Sequence, residues 1–343
     1  ARLYDKVLGS LVGSAIGDAM GAPTEMWSRE QIQAEYGFVD DLHPSIRPPS
    51  PEGTWAMNVP AGATTDDTRW KALVVDYLTG TGDTVEPADP ELKAGDFARF
   101  LSDRFTREVG QARATTDDDP APELVQGVMR VEWLREWEAV ARAYLTGDLD
   151  RGPPALDRFY GGEMVCAGLL FSPALGAYYP GDPEGAYRNC FAADIYDLGF
   201  ARDISALAAA MVAAAMGAEA TPESILSVLA DVDPQGYFDT RLVGRQAFEM
   251  LREARALVHA ARQVEGAQTR AWPDSGMSPR ERAQLEDAYR RLDARRQRMP
   301  FHAGEVHLVN LTALLYSDFD FSRALAFVVN WGRDNDTTAA VTG

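Results

Sequence analysis

Apolar residues in this chain return every three or four positions and almost nowhere every second one, which restricts it to helices packed on helices. Tyr4, Val7, Leu8, Leu11 and Val12 form one such stripe, running into a Gly-Asp-Ala-Met-Gly break expected at 17–21. Trp70, Leu73, Val74, Tyr77 and Leu78 sit at i, i+3, i+4, i+7 and i+8, a narrow apolar face. Ile204, Leu207, Ala208, Met211, Val212 and Ala215 repeat the spacing with small residues, as a closely packed central helix requires. Further helical stretches are expected at 225–229, 242–261, 308–316 and 321–329. No run alternates long enough to be a strand, so the expected fold class is all-α.

The 343 residues allow two domains or one large one. The Pro-rich stretches at 43–53, 115–122 and 151–154 lack the length and composition shift of a linker, so a single domain over 1–343 is expected. A charged helical insertion is expected at about 262–300. Within it, Ser278-Pro279-Arg280-Glu281 reads as an N-cap, a Pro at N1 and a capping-box Glu. Leu285, Tyr289 and Leu292 form a thin stripe. Arg290, Arg291, Arg295, Arg296 and Arg298 gather at the helix end, either solvated against the dipole or as a local nucleic-acid patch.

Charge narrows the function. Asp and Glu total 52 against 33 Lys and Arg, a formal charge of −19. Such a surface repels phosphate backbones, and no general nucleic-acid binding is expected. Two cysteines, Cys166 and Cys190, supply neither a disulfide framework nor a Cys-based zinc site. The four histidines are scattered, so any metal must be a hard ion held by oxygen. The longest apolar run, Ile204 to Ala218, is too short to span a bilayer, and a monomeric cytoplasmic protein is expected.

Three segments could carry chemistry. Thr64-Thr65-Asp66-Asp67-Thr68 lies ahead of an amphipathic helix expected to start near Arg69. It offers several hard oxygens in a small volume; the alternative is a capping box in which Thr64 reaches Asp67. Gly332-Arg333-Asp334-Asn335-Asp336-Thr337 has alternating acids, but position six of a calcium loop is Ala339 where a Gly is needed. It serves equally as a set of oxygen ligands or as a turn. Gly13 to Glu25 is rich in small residues, which suit either close helix packing or close approach of a ligand. The two acidic segments lie 270 residues apart in the chain, from 66 to 336. Brought together they would repel strongly unless cations neutralised them. Ala114-Thr115-Thr116-Asp117-Asp118 repeats the letters of the first segment but runs into prolines, as an acidic loop does.

The ordered set Gly17-Asp18-Ala19-x-Gly-x-Pro-x-Glu25, Thr65-Asp66-Asp67-Thr68 and Gly332-x-Asp334-x-Asp336-Thr337 resembles the ADP-ribosylglycohydrolase family and brackets nearly the whole chain. The resemblance implies an all-α fold with two magnesium (or manganese) ions. It implies Thr65, Asp66 and Asp67 as metal ligands from one side, and Asp334, Asp336 and Thr337 from the other. Glu25 would be the catalytic glutamate, with Asp18 supporting the ligands from behind. The implied activity is metal-dependent hydrolysis of the C1″ glycosidic bond of ADP-ribose conjugates: a modified protein side chain, a nucleic acid or a small molecule. Relatives usually continue beyond the position of Gly343, which implies a further C-terminal helix.

The middle loop departs from the family pattern. Gly-Asn-Gly followed by Met-Arg and Pro is replaced by Gly161-Gly162-Glu163-Met164-Val165, with Pro173 later. Gly161, Gly162 and Glu163 are the expected substrate-binding turn, meeting the diphosphate through backbone N–H groups, with a packing turn as the alternative. Trp55 and Tyr187 are the candidates for stacking on adenine, though aromatics beside loops belong more often to the core. The altered loop keeps open a metal-dependent N-glycoside hydrolase of a nucleoside or ribosyl metabolite; a third reading, a non-catalytic ADP-ribose-binding relative, has the intact carboxylate set and Glu25 against it.

Overall fold

The computed structural model describes residues 2–46, 58–81, 88–114, 120–147, 160–240, 242–266, 272 and 275–343. Among them are fourteen α-helices: α1 (Arg2–Gly21), α2 (Arg29–Glu35), α3 (Asp66–Thr79), α4 (Ala94–Ala114), α5 (Pro120–Thr146), α6 (Ser172–Tyr178), α7 (Pro183–Ala193), α8 (Phe200–Ala215), α9 (Pro222–Asp231), α10 (Gln246–Arg262), α11 (Pro279–Asp293), α12 (Ala303–Tyr316), α13 (Phe321–Trp331) and α14 (Asn335–Thr342). The extended structure is one two-residue antiparallel ladder, β1 (Ser45–Ile46) against β2 (Asn58–Val59). Trp55 and Asp117 lie outside the described residues.

The all-α expectation holds, with local corrections. α1 does not break at Gly17 but continues through Gly21, because its glycines are buried against another helix. A Cβ on Gly13 would stand 2.4 Å from Gly343 O, on Gly17 2.1 Å from Ala339 O, and on Gly21 2.4 Å from Asp336 Cα. This i, i+4, i+8 groove seats the backbone of α14, and Ser14 Oγ donates to Ala340 O at 2.6 Å beside it. Helix α3 starts at Asp66, not near Arg69, and its N-cap is Thr65 instead of Thr64. Helix α10 starts at Gln246: Leu242 is 91% exposed, and the turn is set by buried Arg245. That guanidinium grips Asp203 at 2.6 and 2.9 Å and the carbonyls of Leu229 and Val232.

Helix α8 is the central element, buried on almost every face and packed against α6, α7 and α9. Its alanines allow this, and Gly176 of α6 sits against Ala209 O, where a Cβ would stand 2.2 Å away. Helix α11 begins with the expected capping box, Ser278 to Glu281. Leu285, Tyr289 and Leu292 are buried, and Tyr289 donates to Phe327 O at 2.7 Å, tying α11 to α13. Its terminal arginines bond nearby acids: Arg290 and Arg291 meet Asp287, Arg295 meets Glu253, Arg296 meets Asp293 and Arg298 meets Glu163.

Candidate active site

Two clasps, one of backbone pairing and one built on a side-chain carboxylate, carry the acidic segments to one place. After the 3-10 turn Ala22–Thr24, the chain at Met26 pairs antiparallel with the chain at Arg333. Met26 N–H donates to Arg333 O at 2.6 Å and Arg333 N–H to Trp27 O at 2.9 Å. Both Met26 and Arg333 have positive φ, 63° and 65°, conformations costly for residues with a Cβ. They persist because the clasp, and the Arg333–Glu305 ion pair at 2.5 Å, hold them. The result places Glu25 beside Asp334 and Asp336, with one carboxylate oxygen of each within 4.8 Å of the others.

Asp18 organises the second clasp, from α1 to the start of α3. Its Oδ1 accepts from Thr65 N–H at 2.9 Å and from the Thr65 hydroxyl at 2.8 Å. Its Oδ2 accepts from Thr68 N–H at 3.0 Å and from the Thr68 hydroxyl at 2.5 Å. A carboxylate from another helix thereby caps the positive end of α3. With both oxygens taken, Asp18 holds the Thr-Asp-Asp-Thr turn and does not reach into the cleft.

The two clasps meet at Asp67. The Thr337 hydroxyl donates to Asp67 Oδ2 at 3.0 Å, closing the 270-residue separation. Asp67 Oδ1 is buried with no hydrogen-bond donor, the Lys71 ammonium standing 3.6 Å off. Burial pushes the Asp67 carboxyl up to about 7 against the pull of Lys71, with Asp18 and Asp66 adding to the rise. Asp336 Oδ1 is likewise buried without a donor, and burial, then Glu25 and Asp334, push that carboxyl well above the usual range. Glu25, Asp66, Asp67, Asp334, Asp336 and Thr337 all line one cleft of about 610 Å³. Thr65 is buried beside it with its hydroxyl turned to Asp18.

The opposite wall was not legible in the chain. Trp133, Glu136 and Trp137 of α5 face the cleft together with Tyr160, Cys166 and Phe301. Trp137 stacks on fully buried Trp70, ring centroids 3.3 Å apart, and half-buried Trp133 meets the same ring edge-on at 4.9 Å. The Cys166 thiol lies 3.6 Å from Asp334 Oδ2. Tryptophans at i and i+4 were the available signal for α5; nothing local marks Cys166. The wall is anchored by the end of the charged segment: Cys166 N–H donates to Phe301 O at 3.0 Å and Ala303 N–H to Met164 O at 2.9 Å.

Gly161 and Gly162 form an exposed left-handed turn, φ 69° and 78°, next to Tyr160. Neither they nor Glu163 is among the cleft-lining residues, and Glu163 instead pairs with Arg298 at 2.7 Å. Tyr187 is excluded as a stacking residue, being fully buried with its hydroxyl donating to Asp203 at 2.6 Å. No described helix is long and apolar enough to cross a membrane.

The profile of the ADP-ribosylglycohydrolase family matches residues 1–343. Among curated proteins, the one named "Uncharacterized protein YegU" from Escherichia coli (strain K12) is 32% identical over 83 residues. That match covers 24% of this chain and 24% of the relative, so the chain spans about a quarter of the length of the curated relative it matches.

Proposed function

This chain belongs to the ADP-ribosylglycohydrolase family, and we propose that it is a metal-dependent glycosidase that hydrolyses the C1″ bond of an ADP-ribose conjugate. The observation that carries the metal reading is the pair of buried carboxylate oxygens without donors, on Asp67 and Asp336, within one cleft. So much carboxylate in a low-dielectric place is unstable unless protonated or cation-bound, and the donor set is all hard oxygen. The cleft-lining residues fit two divalent ions of the magnesium or manganese kind, with Asp66 and Asp67 on one side, Asp334, Asp336 and Thr337 on the other, and Thr65 joining the first set only through the hydroxyl oxygen that also donates its proton to Asp18. When bound, such ions would supply electrostatic stabilisation of the charge that develops as the glycosidic bond breaks.

The protein's own groups do the rest. The Thr337 hydroxyl occupies Asp67 Oδ2 and thereby leaves Oδ1 for an ion. Asp18 keeps the Thr65–Thr68 turn in place from behind. Cleavage passes through an oxocarbenium-like state: the oxygen of water bonds to C1″ as the bond to the departing group breaks, and a proton of that water ends on the departing group. Glu25, 7% exposed on the cleft wall, is placed to take that proton from the attacking water or give it to the departing group. Trp133 and Tyr160 offer π-faces and edges to the adenine, an aromatic wall opposite an acidic one. Gly161, Gly162 and Glu163, directly after Tyr160, would form the outer rim for the diphosphate.

The test is a thermal melt with magnesium or manganese, followed by ADP-ribose hydrolysis assays across Arg-, Ser-, ester- and base-linked conjugates. Metal-dependent stabilisation and release of ADP-ribose from at least one linkage are expected. Binding of zinc alone, through histidines, would sink the reading.

A further inference from the structure

A second carboxyl pair lies behind the cleft and has no part in the hydrolytic reading. Asp194 ends α7 and Asp197 sits in the loop before α8, only 1% and 6% exposed. Asp194 Oδ1 accepts the N–H groups of Tyr196 at 3.0 Å and Asp197 at 3.1 Å. Asp197 Oδ1 accepts the N–H of Gly168 at 3.0 Å, and its Oδ2 accepts the Ser205 hydroxyl at 2.5 Å. The remaining oxygen of Asp194 meets no donor; what faces it is the Asp197 carboxyl.

Two adjacent buried carboxylates need either a cation or a proton between them. Among the described residues no third carboxylate, histidine or thiol joins them as a metal ligand. A Cβ built on Gly168 would stand 2.4 Å from Asp197 Oδ2 and 2.7 Å from both Asp194 Oδ2 and Ser205 Oγ, so that backbone closes the space the oxygens share. Arg202, which acts on Asp194 from α8, already donates to Phe191 O at 2.7 Å and lies over the Phe191 ring. A proton is the remaining neutraliser.

We propose that Asp194 and Asp197 share one proton, and that this neutral pair positions the cleft wall by clamping Gly168 in the turn that carries Cys166, Ala167 and Leu170 into the cleft. The clamp joins the α7–α8 loop to residues on the cleft wall, two positions from the thiol that touches Asp334. The other titratable groups facing it are Cys166, Cys190 and Tyr196, all pushed upward by burial and therefore neutral, and the cation Arg202. Burial also raises both acids, and Asp194 raises Asp197 further. The folded chain therefore keeps a proton that the unfolded chain releases. Stability from this source is full below the unfolded carboxyl range and is lost as pH rises through the folded titration.

The inference uses the metal-centre reading for one readout only. In Asp197→Asn the amide accepts from Gly168 and donates to Asp194 without any titrating proton. In saturating magnesium, the folding constant of the unsubstituted protein should fall relative to that of Asp197→Asn by up to about tenfold per pH unit, one proton's worth. Amide exchange at 166–170 should be protected in both and at least tenfold faster in Asp197→Ala, whose magnesium affinity should drop at least tenfold while Asp197→Asn stays within about twofold of the unsubstituted protein. Parallel pH profiles for the unsubstituted protein and Asp197→Asn overturn the shared proton. Unchanged exchange, or unchanged magnesium affinity, in Asp197→Ala overturns the positioning role. Should the alanine variant not fold, the same exchange comparison in Asp197→Leu, which keeps the volume and removes the acceptor for Gly168 N–H, replaces it. A protein that never binds magnesium sinks the hydrolase reading, whereas the pH and exchange comparisons still decide the clamp.

Discussion

Replacing Asp67 by Asn isolates the cost of holding an ionised carboxylate in the cleft when metal is withheld by chelator. The side chain is buried, and its carboxyl is pushed up to about 7 from an ordinary value of 3.8, burial being the main cause. Without metal, the folded protein carries a proton at Asp67 that the unfolded chain has already lost, so stability present below 3.8 disappears as pH rises through about 7. Over that interval the slope is one proton, about 1.4 kcal/mol per pH unit. Moving from about pH 5 to about pH 8.5 crosses roughly two units of it, so Asp67 alone removes on the order of 3 kcal/mol. Asn does not titrate, and comparing the two pH values cancels the fixed cost of the substitution, while the pull of Lys71 on the ionised carboxylate is already contained in the value of about 7. Urea unfolding in chelator should show the unsubstituted protein losing about 3 kcal/mol more than Asp67→Asn across that range. Saturating magnesium should reverse the order, because the bound ion stabilises the ionised ligand set of the unsubstituted protein and not that of the variant. Equal slopes in chelator would refute the argument that burial governs this carboxyl.

Three further outcomes follow from the same geometry. Glu25→Gln should lower kcat by about 10²–10⁴-fold, about 3–5 kcal/mol at the transition state, with magnesium-dependent ADP-ribose affinity kept within a few fold; calorimetry showing metal and ligand lost together would make Glu25 a ligand instead. Asp66→Ala and Asp336→Ala should each abolish activity and the magnesium-induced rise in Tm while leaving the circular dichroism spectrum intact, and normal turnover in either would separate the two acidic segments. Gly17→Ala should destabilise by more than about 2 kcal/mol and weaken magnesium binding, since its Cβ would stand 2.1 Å from Ala339 O and push α14 away; unfolding curves matching the unsubstituted protein would contradict the packing account.

Much of the candidate site was visible as chemistry in the chain. Thr65, Asp66 and Asp67 stand at a helix start because acids and hydroxyls satisfy the free N–H groups there, a local rule that needs no partner. The same rule makes Ser278 to Glu281 readable as a helix start, and the three- and four-residue spacing makes the chain all-α. Periodicity states which face of a helix is buried but not what buries it, since apolar burial has no direction. Thr64 and Thr65 are equivalent to a sequence rule, and only Asp18 reaching from α1 selects Thr65. Tyr187 and Trp133 are both aromatics, and the i, i+4 spacing of Trp133 and Trp137 says only that they share a helix face; a buried Asp203 takes Tyr187 into the core, and Trp70 props Trp133 at the cleft. The meeting of Asp67 with Thr337 depends on three glycines of α1 lying close enough for the backbone of α14 to enter, a steric fit that exists only once both helices are in place. Sequence alone determined which hard-oxygen side chains the chain offers and that helices make up its fold. Tertiary structure decided which donors share a cleft, because contact between distant segments is set by shape, and shape belongs to the pair of surfaces rather than to either stretch of chain.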